Sequence, residues 1–324
     1  MNQPDVLKPI EGAFMEFRHH STVEGTPYNP ALRRFTRSQW QTLIRDMRHL
    51  GLDTVVLTCT ALVTEDEAEC YAPVDVFPHP ADMVCQDALD AVMEELERQN
   101  MHIFLGLGFY GLWTDPEGNM KSAEVEERAL RAASILYERY GRYRCLEGWY
   151  LPDETEAGPY FKEYFISFVN RYAARLRAMS PEKKILIAPY GTNKISADDT
   201  FVDQLRRLDV DIIAYQDEVG VRKSTPDQTG AYYRSLREAH DKAGRSRLWA
   251  DMEVFEFEGA TYRSALIPAS IDRVEAQLRA LSPWVDKILC YEYPGLLSRP
   301  GSEASYAGDE PARLYAEYER LKNR

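Results

Sequence analysis

Carboxylic acids recur at the ends of short apolar segments along this sequence. Glu154 ends the segment "EGWYLPDE", and Glu253 lies inside the apolar segment "RLWADMEVF". Two carboxyl groups that flank one glycosidic bond can cleave it, one as general acid and the other as nucleophile or base. The pair Glu154 and Glu253 therefore predicts two-carboxylate hydrolysis of an O-linked saccharide.

Further acids, amides and aromatic residues occupy equivalent positions at other segment ends. Aromatic rings stack on the apolar faces of sugars, and carboxylates accept hydrogen bonds from sugar hydroxyls. Alternation along one strand places Asp251 and Glu253 on the same face, where burial is costly unless the acids are paired or used. The predicted saccharide-binding residues are Glu16, Tyr110, Trp113, Tyr150, Tyr190, Tyr215, Gln216, Asp217, Trp249, Asp251, Tyr291 and Glu292.

The elements that must position these residues follow a regular order. Short apolar segments alternate with longer amphipathic ones, which is typical of a parallel sheet wrapped by helices. Eight units with no linker between them predict an α/β fold, a single (β/α)8 TIM barrel that forms one domain over residues 1–324. An open doubly wound sheet would need a glycine-rich turn after the first strand, where the sequence reads "EFRHHSTVEG". The predicted strands are 12–17, 53–60, 102–110, 147–154, 184–191, 211–218, 247–255 and 286–293.

The lengths of the connections indicate which face of the barrel carries the site. In such barrels the site is built from the C-terminal ends of the strands and the loops that follow them. Strands four and seven are three apart in an eight-strand ring, so Glu154 and Glu253 are expected to face each other across its mouth. Long loops in a compact domain are usually functional. The long connections follow strands one, two, seven and eight, at about 19–36, 61–84, 257–267 and 294–309.

The charge and composition of the sequence limit the kinds of molecule that this protein is expected to bind. A net charge of −13 over 324 residues disfavours nucleic acid and anionic membrane surfaces. The sequence has no apolar run of about 18 residues, so we predict no membrane span. The first twenty residues show no apolar signal core, and the five cysteines form no CxxC pair, which predicts a cytoplasmic protein with buried, reduced thiols. A small saccharide or glycoside is the expected partner, and no cofactor or metal is predicted.

Several stretches carry a family resemblance. Glutamates at the ends of strands four and seven resemble the arrangement of clan A glycoside hydrolases, which implies that Glu154 is the acid/base and Glu253 the nucleophile. Asp153 stands where that clan usually has asparagine. The sequence is more closely similar to an uncharacterised glycosidase-like barrel family, a domain of unknown function, which implies a role in carbohydrate metabolism with Glu154, Gln216, Asp217 and Glu253 in the site. The similar stretches are "LGLDTVVLT", "FLGLGFYGLW", "GWYLPDET", "ILIAPYGT", "DIIAYQDEVG" and "LWADMEVFE".

Two other functions fit the same barrel. One is a metal-dependent sugar isomerase or hydrolase, with oxygen ligands from Glu154, Asp217, Glu253 and Glu292. Histidine is scarce at the relevant strand ends: only the pair 19–20 lies on the expected face, and a solvated role is favoured for it. The other is a barrel that binds saccharide without turnover. The sequence favours the hydrolase over both.

Overall fold

A closed parallel barrel forms the centre of the structure, a computed structural model that describes residues 7–306 and 308–324. The strands of this described part are β1 (Gly12–Met15), β2 (Thr54–Leu57), β3 (Ala61–Val63), β4 (Ala68–Cys70), β5 (His102–Gly106), β6 (Leu146–Leu151), β7 (Lys184–Ile187), β8 (Ile212–Gln216), β9 (Arg247–Glu253), β10 (Phe255–Phe257), β11 (Leu266–Pro268) and β12 (Lys287–Tyr291). Eight of them close in the order β1-β12-β9-β8-β7-β6-β5-β2. The predicted (β/α)8 TIM barrel is confirmed.

Helices surround this barrel and alternate with its strands. They are α1 (Asn29–Leu32), α2 (Arg37–Leu50), α3 (Ala88–Gln99), α4 (Pro116–Lys121), α5 (Ala123–Tyr140), α6 (Glu163–Met179), α7 (Asp199–Arg207), α8 (Pro226–Ala243), α9 (Ile271–Leu281) and α10 (Glu310–Lys322). None of the helices in the described ranges is both long and apolar enough to cross a bilayer.

Local chemistry sets the bounds of these helices. Thr36 begins α2 with a reciprocal capping box to Gln39, which satisfies backbone N–H groups that have no partner within the helix. Gly51 ends α2 in a left-handed conformation with φ 99°, which a residue with a side chain rarely adopts. Apolar residues at helical spacing, such as Leu43 and Met47, are fully buried against the barrel.

The structure corrects the bounds of the predicted strands. Each predicted strand runs at least two residues too far at its C-terminal end, because the last residues leave the barrel ladder and enter the loop at the mouth. The loop between β6 and α6 is fixed to the segment after the next strand, because Ala157 donates its N–H to the carbonyl of Tyr190 at 2.8 Å.

Side chains that alternate along each strand divide the core into two layers. Ala250 and Met252 of β9 pack outward into the layer between strands and helices, whereas Trp249 packs inside the barrel. The five cysteines are buried and unpaired, as predicted. Asp251 and Glu253 share the inward face with Trp249, so the predicted alternation of β9 is correct.

Two of the four long loops contain a β-hairpin that the sequence did not predict. The strands β3 and β4 pair after β2, and β10 and β11 pair after β9. Arg18 and Arg33 of the loop after β1 both donate to the carboxylate of Glu69 in the first hairpin, at 3.0 and 2.8 Å. These ion pairs join neighbouring loops into one wall on the side of the barrel where the strands end.

Candidate active site

A cavity of about 410 Å³ opens at the C-terminal ends of the barrel strands. This size is within the usual range for small-molecule sites. Its lining mixes acids with aromatic rings, and every barrel strand or the loop after it contributes at least one residue. The lining residues are His20, Glu24, Thr58, Phe109, Trp113, Pro116, Pro152, Glu154, Tyr190, Gln216, Val221, Lys223, Asp251, Glu253, Phe255, Tyr262 and Tyr291.

Glu154 lies in the loop immediately after β6 and extends into the cavity. Gln216 donates its Nε2–H to Glu154 Oε2 at 2.8 Å, and the Tyr150 hydroxyl donates to Oε1 at 3.3 Å. Burial raises the pKa of Glu154 to about 7, while Gln216 and the nearby His20 act in the opposite direction. A carboxyl group with this pKa can hold a proton near neutral pH and release it to a substrate oxygen.

Glu253 is the last residue of β9 and lines the same cavity. The backbone N–H of Val221 donates to Glu253 Oε2 at 2.8 Å and fixes one carboxyl oxygen. Burial, and then the nearby charge of Asp217, raises the pKa of Glu253 well above its ordinary value. The negative charge of Asp217 therefore disfavours the ionisation of Glu253.

Asp251 lies one inward position below Glu253 on β9. It is 2% exposed, and its Oδ1 has no hydrogen-bond partner within the protein. Burial raises the pKa of Asp251 well above its ordinary value, and the charges of Glu253 and Glu154 add to this effect. A buried carboxyl oxygen without a partner costs free energy, which a hydroxyl-bearing ligand in the cavity would recover.

Asp217, predicted to bind saccharide, supports the site from behind. Its Oδ1 accepts the backbone N–H groups of Glu253 and Val219 at 3.1 and 3.3 Å, and its Oδ2 accepts from Gln277 at 2.6 Å. The side chain is fully buried outside the cavity lining. Asp217 thus positions the backbone of Glu253, and the prediction that it binds saccharide is corrected.

A carboxylate and an imidazole form a pair in the wall that follows β1. Glu16 is fully buried and accepts from the ring Nδ1 and the backbone N–H of His20, both at 3.0 Å. The Tyr291 hydroxyl also donates to Glu16 at 3.1 Å. Burial lowers the pKa of His20, but the adjacent Glu16 carboxylate outweighs it, and the net shift is upward. The ring of His20 therefore holds a proton more readily than a free imidazole, and its centre lies 4.8 Å from that of the Trp113 ring.

The structure places four other predicted residues away from the cavity lining. Tyr215 points outward, and its hydroxyl lies 3.1 Å from His240 Nε2. Trp249 points inward but lies at the opposite end of the barrel, with Lys287 Nζ 5.3 Å from its ring. Tyr110 and Glu292 are buried in the loop layer, where they bond to Thr60 at 3.0 Å and Tyr28 at 2.8 Å. Because none of these four residues lines the cavity, a ligand in the cavity would not contact them directly.

Of the fourteen predicted site residues, Trp113, Glu154, Tyr190, Gln216, Asp251, Glu253 and Tyr291 line the cavity. Tyr150 and Glu16 lie directly behind it and bond to Glu154 and His20. Asp153 points elsewhere, because its Oδ1 accepts from Asn119 Nδ2 at 2.9 Å. The side-chain amide of Asn119 therefore lies next to Asp153, but the two residues bond to each other outside the cavity lining.

Sequence reasoning missed several lining residues, among them His20, Lys223 and Tyr262. A solvated role was favoured for His20, yet its side chain is only 20% exposed. The four-residue spacing between Glu16 and His20 could have identified His20. It allows the imidazole in the turn after β1 to fold back onto the carboxylate at the end of that strand. Lys223 and Tyr262 lie in loops without periodic pattern, so no signal identified them.

One group of potential metal-ligating side chains exists in the described ranges. Donor atoms of Glu16, His19 and His20 all lie within 4.8 Å of one another. These groups also bond among themselves and to Tyr291. The four oxygen ligands considered for a metal-dependent enzyme do not form such a group in the described part of the chain. Glu154 and Glu253 line the cavity, whereas the other two acids are engaged behind it.

The sequence matches a known family over almost all of the barrel. Residues 10–304 match the family described as Domain of unknown function (DUF4434). The chain belongs to the DUF4434 family. No curated protein has a sequence that matches this chain.

Solved structures that resemble this DUF4434 barrel are described as glycosidases. A candidate alpha-L-fucosidase from Bacteroides thetaiotaomicron VPI-5482 has a TM-score of 0.72 at 18% identity, covering 98% of this chain and 95% of that chain. An endo-beta-1,4-mannanase from Thermotoga petrophila has a TM-score of 0.60 at 11% identity, with 97% and 77% covered. An endo-1,4-beta-mannanase from Rhizomucor miehei has a TM-score of 0.58 at 11% identity, with 98% and 95% covered. At these identities the likeness shows a shared barrel fold.

The pairing of Glu16 with His20 gives a prediction that needs no substrate. We expect Glu16→Gln to lower the pKa of His20, because the neutral amide no longer stabilises the imidazolium. NMR titration of the ring protons, assigned with His20→Gln, measures this. His240 of α8, whose pKa burial lowers to about 4, is the control and is expected to keep this pKa in both proteins. An unchanged titration of His20 in Glu16→Gln would contradict the pairing.

Proposed function

We propose that this protein is a glycoside hydrolase in which Glu154 is the general acid/base and Glu253 the nucleophile or base. One observation carries the proposal: two glutamates from opposite sides of the barrel line one cavity of suitable size together with aromatic rings. The glycosidase names of the structural neighbours agree with it. The roles follow the strand positions, since Glu154 follows the fourth barrel strand and Glu253 ends the seventh.

The surroundings of the two glutamates support different tasks. Glu154 accepts hydrogen bonds from the Gln216 amide and the Tyr150 hydroxyl. These contacts suit a carboxyl group that gives and takes a proton during the reaction. Glu253 has one oxygen fixed by the Val221 N–H, which leaves the other oxygen for the substrate. Asp251 and the Glu16–His20 pair supply an acceptor and a donor for sugar hydroxyls. Trp113 and Tyr291 supply apolar ring surface.

A substrate panel tests this function directly. Purified protein is incubated with p-nitrophenyl glycosides of glucose, galactose, mannose and fucose in both anomeric forms, and nitrophenol release is followed. Turnover of at least one glycoside is expected. The absence of turnover, together with the absence of sugar binding in saturation-transfer NMR, would reject a saccharide-processing role. Binding without turnover would instead identify a non-catalytic saccharide-binding barrel. A cytoplasmic location remains our proposal for where the reaction occurs.

The pKa of Glu154 predicts the pH dependence of the reaction. Because Glu154 must be protonated as the general acid and Glu253 ionised as the nucleophile, kcat/KM is expected to have a bell-shaped pH profile. Loss of the Glu154 proton, with a pKa of about 7, gives the basic limb, and the raised pKa of Glu253 moves the acidic limb to higher pH. Gln216→Met removes a hydrogen bond that stabilises the Glu154 anion, so the basic limb of the pH profile is expected to move to higher pH. Gln99→Met, an amide substitution on α3, is the control. A basic limb at the same pH in wild type and Gln216→Met would contradict the role of Gln216.

A further inference from the structure

Three residues from separate loops form a surface at the mouth of the cavity. Tyr190 follows β7, Lys223 follows β8, and Tyr262 lies between β10 and β11. Lys223 Nζ lies 5.2 Å from the centre of the Tyr190 ring and 5.8 Å from that of Tyr262. All three line the cavity. We refer to Tyr190, Lys223 and Tyr262 as the outer platform.

The ring of Tyr262 is unusually accessible. This residue is 53% exposed, whereas the other aromatic residues of the cavity wall are buried or partly buried. The ring of Phe257 packs edge-on against Tyr262, with 5.6 Å between the two ring centres. An accessible ring beside a cavity offers apolar surface on which a sugar ring can stack.

The backbone at this rim adopts conformations that side chains disfavour. Glu218, Arg222 and Tyr262 have φ of 56°, 61° and 63°, and they are three of the four non-glycine residues with positive φ in the described ranges. Such conformations are strained for residues with a side chain, and backbone strain of this kind concentrates at functional sites. Arg222 holds the hairpin by donating to the carbonyls of Phe257 and Gly259 at 2.9 and 3.2 Å. The outer platform is therefore built on a fixed loop framework.

The charge of the outer platform is already balanced. Lys223 Nζ donates to Glu218 Oε1 at 3.2 Å, and the Glu218 side chain is only 1% exposed. An ammonium group has three N–H donors, so Lys223 retains donors for a ligand. Because its positive charge is paired, the surface suits a neutral hydroxyl-bearing ring rather than an anionic group.

The position of the outer platform relative to the acid defines which sugar it meets. Tyr190 lies beside the loop that carries Glu154, because its carbonyl accepts the backbone N–H of Ala157 at 2.8 Å. A general acid protonates the oxygen of the leaving group, so the ring next to it on this side belongs to the leaving sugar. We propose that the outer platform binds the leaving-group sugar, and that the substrate is a neutral saccharide of at least two rings. This inference rests on the proposed function.

Leaving groups of different size test the proposal. Each enzyme is assayed with a disaccharide and with the glycosyl fluoride of the same sugar, because fluoride is too small to reach the outer platform. Tyr262→Ala and Lys223→Met are expected to lower kcat/KM for the disaccharide roughly tenfold, an effect of the size of a lost ring contact. Their kcat/KM for the fluoride is expected to stay unchanged. Tyr262→Phe keeps the ring and is expected to retain disaccharide activity, and Tyr137→Ala on α5 is the surface control.

The outcomes separate this inference from the proposed function. Equal losses on disaccharide and fluoride, or no loss on either, would overturn the outer platform while the hydrolase stands. Wild-type protein that cleaves neither substrate type for glucose, galactose, mannose or fucose would reject the function, and the outer platform with it. A selective loss on the disaccharide in both variants supports the proposal.

Discussion

Glu154→Gln and Glu253→Gln are each expected to lower kcat for glycoside hydrolysis by about 10²–10⁴-fold, the range that one proton-transfer group contributes. Each substitution keeps the size of the side chain and removes the ability to exchange a proton or attack carbon. Sugar binding is expected to persist, because the neighbours Gln216 and Val221 remain in place. Kinetics with the glycoside found in the panel, and NMR titration with its sugar, measure the two effects separately.

The two glutamates are expected to differ in their dependence on the leaving group. A dinitrophenyl leaving group needs no proton, so Glu154→Gln is expected to recover much of its activity on such a substrate. Glu253→Gln is expected to remain inactive, because the nucleophile or base is needed for every leaving group. The reverse pattern would exchange the two roles.

Matched controls exclude a general effect of removing charge. Glu156→Gln, two positions after Glu154, removes a carboxylate that pairs with Lys194 at the surface. Glu256→Gln, three positions after Glu253, removes a carboxylate of β10 that pairs with Arg273. Both are expected to retain wild-type kcat. Wild-type activity in both Glu154→Gln and Glu253→Gln would show that these two glutamates are not the catalytic pair.

The barrel could be predicted from the sequence because its signal is periodic. Eight apolar segments and eight amphipathic ones specify the strand order, and alternation along β9 correctly placed Asp251 and Glu253 on one face. The same period on β8 explains the position of Tyr215: its neighbour Gln216 points inward, so Tyr215 points outward. Trp249 points inward, but each inward step moves about 7 Å along the strand, and two steps separate it from the mouth.

Loops limited the prediction of the site. His20 reaches the cavity only because the turn after β1 folds back on Glu16, a contact that no periodic pattern encodes. Lys223 and Tyr262 come together from loops that follow different strands. These loops contain residues in the left-handed conformation, among them Arg222 and Tyr262. Such contacts depend on tertiary packing, so they were visible only in the structure.

The buried carboxyl groups of the site are expected to destabilise the protein as pH rises. Burial raises the folded-state pKa of Asp251 and Glu253 above their unfolded values, so these acids ionise less readily in the folded protein. Their contribution to stability is complete below the unfolded pKa, near pH 4, and is lost as pH rises through the folded pKa. The free energy of unfolding is therefore expected to decrease between pH 5 and pH 8.

Asp251→Asn is expected to remove much of this decrease and to raise the free energy of unfolding at pH 8 by about 2 kcal/mol relative to the wild type, with little gain at pH 5. Urea unfolding at both pH values measures the difference. Asp90→Asn provides the opposite control, because the Arg139 and Tyr140 partners of Asp90 lower its pKa against the effect of burial. That variant is expected to be less stable at pH 8. Equal stability of Asp251→Asn and wild type at pH 8 would show that the folded protein accommodates the Asp251 charge without cost, and the cavity would then hold its acids for structure rather than for a ligand.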